Sequence, residues 1–156
     1  MKVTLLVVGK TTDTHIDILI QEYQKRLSHY IPFALQVIPE LKNTKALTAE
    51  QQKQAEGEFI LRAVTPSTDL ILLDEHGKEF RSIEFADYIQ KRMSSGRDVV
   101  FVVGGPYGFS ETVYQRANGK ISLSKMTFSH QMVRLFFVEQ LYRAMTILRG
   151  EPYHHE

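Results

Sequence analysis

Val99-Val100-Phe101-Val102-Val103-Gly104-Gly105-Pro106-Tyr107-Gly108 runs through five consecutive apolar residues straight into a glycine-rich turn. A strand with one face in water alternates apolar and polar; an unbroken apolar run is what a strand needs when helices cover both faces of its sheet. The same pattern recurs outward from it, at Asp69 to Leu73 and at Val3 to Val8. Phe33 to Ile38 reads as a further strand, bounded by Pro32 and Pro39. Between these runs the apolar spacing becomes helical. Ile16, Leu19, Ile20, Tyr23 and Leu27 share one face of a helix from His15 to Leu27, with Thr14 or Asp13 as N-cap.

Thr48-Ala49-Glu50-Gln51 has the form of a capping box and opens a helix that runs to about Val64, before Pro66 stops it. Ser82 is read as the cap of a helix burying Phe85, Ala86, Ile89 and Met93, with Gly96 closing it. After the glycine turn, Ser110 caps a short helix to Ala117, and Ile121 to Leu123 forms a last short strand. A long helix from about Gln131 to Arg149 follows, burying Val133, Phe136, Phe137, Leu141, Ala144, Met145 and Leu148. Strictly alternating strands and helices predict an α/β fold with a mostly parallel central sheet, as a single domain over residues 1–156.

The composition fits an ordinary globular domain, with 43% apolar and 24% charged residues in 156. No apolar run approaches the roughly 18 to 20 residues that cross a bilayer. The start, Met1 to Gly9, is too short in its apolar part for a signal-peptide core and reads as a strand. The absence of cysteine removes disulfides, thiolate nucleophiles, zinc-thiolate sites and iron–sulfur clusters; it suits a reducing compartment such as the cytoplasm, and would suit an exported protein as well. The net charge of +1 is unevenly spread: residues 1–115 carry 13 basic against 15 acidic side chains, and residues 116–156 carry six against three. That basic end, which also holds His130, His154 and His155, is where a polyanion would be met.

Ligands of open α/β sheets bind beyond the carboxyl ends of the strands. Three such stretches carry chemistry: Leu73 to Lys78, Gly104 to Gly108, and Ser122 to His130. The glycine cluster permits close backbone approach, which suits a ligand laid against main-chain groups. It is not the dinucleotide fingerprint, and Gly9-Lys10-Thr11 is not a phosphate loop, because Thr4 stands where that loop needs its first glycine. Ser129, His130 and Asp74 make no hydrolase triad without a nucleophile elbow. Neighbouring His154 and His155 lack the spacing of a metal pair, whereas Pro152-Tyr153 sets an aromatic on a rigid turn beside a basic helix end.

Taken together, the segments resemble the ribosomal large-subunit methyltransferase H family of the SPOUT superfamily. The resemblance is carried by Val7-Val8-Gly9-Lys10, Glu22 to Leu27, Leu72-Leu73-Asp74-Glu75-His76-Gly77-Lys78 and Phe101 to Gly108, and then by Leu123-Ser124-Lys125-Met126-Thr127-Phe128-Ser129-His130-Gln131-Met132-Val133-Arg134, Glu139 to Ala144 and Gly150 to His154. These cover the chain in order, with Ser129 where proline often precedes the histidine. The resemblance implies a C-terminal trefoil knot whose loops hold S-adenosylmethionine, and a homodimer that completes each site. It implies donor contacts from Leu73, Gly104 and the stretch Leu123, Ser124, Lys125, Met126, Thr127 and Phe128, with Gly105 close by. The implied substrate is N3 of a pseudouridine in helix 69 of 23S ribosomal RNA, on the assembled ribosome.

A sulfonium already carries the leaving-group charge, so such an enzyme needs alignment and an exit for the N3 proton, and no metal. His130 is the first candidate to contact the base or relay that proton, with Tyr153 and His154 next; His130 also reads as a helix-start residue bonding local backbone. Arg134, Arg143 and Arg149 line up along one helix to meet phosphates, although Arg143 also stands at i, i+4 from Glu139. Two other readings compete: a non-catalytic nucleotide- or RNA-binding α/β module whose glycine loop takes a phosphate, and a Rossmann-type methyltransferase, whose glycine motif belongs after the first strand rather than the fourth.

Overall fold

Period-two alternation inside the apolar strands sorts their side chains onto two faces, and each face has its own helices. The computed structural model describes residues 1–156. In chain order it contains β1 (Val3–Val8), α1 (Thr14–Leu27), β2 (Phe33–Ile38), α2 (Ala49–Arg62), β3 (Asp69–Glu79), α3 (Ser82–Ser94), β4 (Val99–Val103), α4 (Glu111–Arg116), β5 (Gly119–Ser122) and α5 (His130–Leu148). The five strands form one sheet in the order β2-β1-β4-β3-β5, and every pairing is parallel. Val3, Leu5 and Val7 with Val99, Phe101 and Val103 join a core cluster that includes Leu27 of α1, Phe85 and Ile89 of α3 and Phe137 and Leu141 of α5. Leu6, Val100 and Val102 face the other way, onto Ile60 of α2 and Val113 of α4. The α/β architecture with a parallel sheet is therefore as expected.

Helix starts follow the local chemistry closely. Asp13 accepts from the backbone N–H groups of His15 and Ile16, Thr48 and Gln51 close a reciprocal capping box, and Ser110 and Ser129 cap α4 and α5. Ser82 is not a cap: Arg81 holds that position, its N–H donating to Glu84 at 2.7 Å, and the Ser82 hydroxyl instead reaches Gln140 of α5 at 3.0 Å. The apolar stripes are narrower than the spacing suggests. Met93 and Phe136 are exposed, and the Phe136 ring packs on Phe128, centroids 4.8 Å apart, rather than on the core.

The C-terminal strands differ more. β3 runs to Glu79 rather than ending at Leu73, because Leu73 and Lys78 both pair with Ile121 and residues 74–77 leave the ladder between them. β5 begins at Gly119, before Ile121, since the Asn118 side chain accepts from Leu70 N–H at 2.9 Å and draws the chain into the sheet early. It ends at Ser122, whose hydroxyl bonds the Ser124 carbonyl at 2.9 Å and turns the chain outward. This excursion and return places three loop regions side by side at the carboxyl end of the sheet. No helix is long and apolar enough to cross a membrane.

Candidate functional site

The three loops surround a cavity of about 480 Å³, in the range of small-ligand sites. Each is shaped by its own residues. After the first part of β3, Asp74 accepts from His76 N–H at 2.8 Å and the Tyr114 hydroxyl donates to the other carboxylate oxygen. Burial, then the Asp74 carboxylate, push the Tyr114 phenol well above its ordinary value, so it is a fixed donor. After β4, Gly108 N–H bonds Gly105 O at 3.1 Å, closing a turn in which Gly108 takes a φ of 81°. A side chain at Gly104 would meet the Phe109 ring at 3.0 Å, so the backbone itself is the wall there. After β5, Met126 N–H donates to Ser124 Oγ at 2.9 Å, folding that loop over the opening.

Leu73, Gly104, Gly105, Leu123, Ser124, Met126, Thr127 and Phe128 all line the cavity, as does His130 at the start of α5. Lys125 does not: its side chain is 85% exposed and turns away, its amine 3.7 Å from Glu79. Asp74, Glu75, Tyr107 and Tyr114 line the cavity as well, beyond the residues that the resemblance implies. Position just after a strand was the signal that marked Asp74 and Glu75.

The lining contains two carboxylates, two histidines, apolar walls from Val103, Leu123 and Val133, and no lysine or arginine. A nucleotide phosphate would find no cationic side chain there. A methyl donor with a sulfonium and an ammonium, which the resemblance implies, fits the chemistry: apolar walls and main chain for its adenosine, carboxylates for its cations.

The C-terminal candidates lie elsewhere. Tyr153 and His154 do not line the cavity. The Tyr153 hydroxyl donates to Glu139 at 3.0 Å and lies 3.1 Å from the Tyr23 hydroxyl. Burial, then Tyr23 and Glu139, raise that phenol above its ordinary value. Arg143 donates to Glu139 at 2.6 Å, stacks over Tyr153 at 4.8 Å and lies 3.1 Å from His154 Nδ1. It pins the tail rather than meeting phosphates, as its i, i+4 spacing from Glu139 allowed.

Arg149 is exposed over the Tyr30 ring at 4.2 Å and donates to His29 O at 3.1 Å. Arg134, read as a phosphate contact, is 2% exposed and turns inward, donating to Val8 O, Gly9 O, His130 O and Thr11 Oγ1 at 2.9 to 3.1 Å. No group of three His, Cys, Asp or Glu side chains is placed to hold a metal ion.

A family model described as "Predicted SPOUT methyltransferase" matches residues 1–154. The proteins called ribosomal RNA large subunit methyltransferase H from Bacteroides thetaiotaomicron, Phocaeicola vulgatus and Flavobacterium johnsoniae are 62%, 60% and 58% identical to this chain. In each case the similarity covers the whole of both chains.

Proposed function

The chain belongs to the SPOUT methyltransferase family, and we propose that it methylates N3 of a pseudouridine in helix 69 of 23S ribosomal RNA, on assembled ribosomes in the cytoplasm, with S-adenosylmethionine as donor. The observation that carries the reading is the cavity wall: glycine backbone and carboxylates in place of lysine and arginine. It favours a cationic adenosyl ligand and speaks against the phosphate-binding module. The names of the relatives point to large-subunit ribosomal RNA as substrate.

When bound, the donor supplies an activated methyl group and its own leaving group. What remains for the protein is position and a proton. Leu73, Gly104, Gly105 and the Leu123 to Phe128 loop hold the donor, and Asp74 and Glu75 face its positive groups. His130, exposed at the cavity mouth and engaged in no side-chain hydrogen bond, contacts the base and takes up the N3 proton as the methyl group arrives.

Tyr153 and His154 serve the site through a homodimer: they are held away from the cavity of their own chain, and a second copy brings its tail to the rim. Arg149, the residue just after α5, carries its charge at the surface, and it meets phosphate there. The trefoil knot of the family belongs to the same reading; it is supported by a β5 that returns beyond β3 with β4 already on the other side.

Calorimetry with S-adenosylmethionine, and separately with S-adenosylhomocysteine, tests the donor site. Stoichiometric binding of both is expected, and no heat with either would end the reading. His130→Ala should lower single-turnover methylation of undermethylated ribosomes by about 100-fold while donor affinity stays within about threefold. Full activity in that variant would remove His130 from the chemistry. Mapping the modification on ribosomes from cells lacking the protein identifies the nucleotide.

A further inference from the structure

The Gly104-Gly105-Pro106 turn has a second cavity against it, of about 300 Å³. Those three residues and His130 line both cavities, so the turn is a shared wall. In the second cavity lies Glu56 of α2, a carboxylate only 5% exposed. Its one hydrogen bond comes from Gln52 Nε2 at 3.5 Å, near the limit of such a contact. A Cβ at Gly105 would run into both Glu56 carboxylate oxygens, so the carboxylate packs directly against the backbone of the turn.

The charged groups around it are Glu40 after β2, and His130 and Arg134 on α5. Arg134 is committed to backbone carbonyls. Burial raises the Glu56 carboxyl above its ordinary value, with Gln52 and His130 acting against that and Glu40 with it. A buried carboxylate with so little compensation is costly unless a positive charge is met. With Arg134 held by carbonyls, the cavity on the far side of the Gly104-Gly105-Pro106 turn offers a place for one, and Gly105 puts no side chain between.

We propose that Glu56 is a positioning residue for the methyl donor: from behind Gly105 its carboxylate holds the glycine turn and favours a cationic ligand over a neutral one in the cavity beyond. The inference rests on the methyl-transfer reading above. Its consequence is discrimination between substrate and product, because loss of the methyl group turns a sulfonium into a neutral thioether. The spent donor is then held less tightly than the fresh one.

Binding of S-adenosylmethionine and S-adenosylhomocysteine to the full-length wild type, Glu56→Gln and Glu56→Asp separates the possibilities. In Glu56→Gln the Kd for S-adenosylmethionine should rise about tenfold, while that for S-adenosylhomocysteine changes less than about twofold and the melting temperature is kept. KM for the donor rises with it, and kcat changes little. Glu56→Asp, which keeps the charge one methylene farther back, should retain part of the preference and serves as the reference if the glutamine variant folds poorly. Equal weakening of both ligands in either variant, or no change in either, overturns the proposal. A wild type that takes neither ligand overturns the methyl-transfer reading itself.

Discussion

Replacing Arg134 by alanine is expected to destabilise the fold rather than to weaken RNA binding. The guanidinium is buried and donates to three main-chain carbonyls, those of Val8, Gly9 and His130, and to the Thr11 hydroxyl. Burial draws its pKa below the ordinary arginine value, with Glu40 acting the other way, yet an arginine remains charged under any folding condition. Truncation removes the donor that joins Val8 O, Gly9 O and His130 O at the junction of β1 and α5. Losing these charge-assisted hydrogen bonds costs about 3 kcal/mol, which lowers the melting temperature of a domain this size by about 10 °C.

Arg134→Lys should lose most of the same stability, since a single ammonium cannot reproduce the fork that spans Val8 O to His130 O. Thermal and urea melts read the effect. A surface arginine on phosphate would behave oppositely, with unchanged melting and a reduced salt dependence of ribosome binding. That second result would show that the residue turns outward in solution. Because His130 begins the helix that Arg134 anchors, donor affinity and methylation should fall along with stability.

The same residue shows where reading the chain stops. Strands β1, β2 and β4 and the caps Asp13, Thr48 and Ser110 were legible because each depends on neighbours within a few positions. The three loops around the cavity were legible from their place after strands and from the family pattern. Lys125 was not separable from its neighbours, since a contiguous motif does not say which side chains turn inward.

Arg134 reads as surface charge in any periodicity argument. Its burial depends on carbonyls at the end of β1, more than 120 positions away. Tyr153 and Arg143 are likewise explained by Glu139 and Tyr23, a cluster assembled only when α1 and α5 pack. Glu56 belongs to the same class: nothing around it in α2 announces that it will face Gly105.

Gly77→Ala carries the other large effect, and it tests the pairing of β3 with β5 directly. A Cβ at Gly77 would lie 2.5 Å from the carbonyl carbon of Ile121, 2.6 Å from its nitrogen and 2.7 Å from its Cα. All three are backbone atoms, so no rotamer change relieves the clash and one of the two strands must move. Ile121 is also the residue that pairs with both Leu73 and Lys78, which makes the contact the hinge of the excursion through residues 74–77.

Displacing it separates Leu73 from Leu123, which both wall the donor cavity. The expected cost is about 3 kcal/mol, with donor binding weakened at least about tenfold. Gly96→Ala is the control. Gly96 has a φ of 73° and open space around it, so only backbone strain of about 1 kcal/mol is added and the donor site is untouched. A Gly77→Ala protein that melts and binds S-adenosylmethionine like the wild type would mean that Ile121 does not pass against Gly77. The juxtaposition of the three loops, and every role assigned to their residues, would then need another geometry.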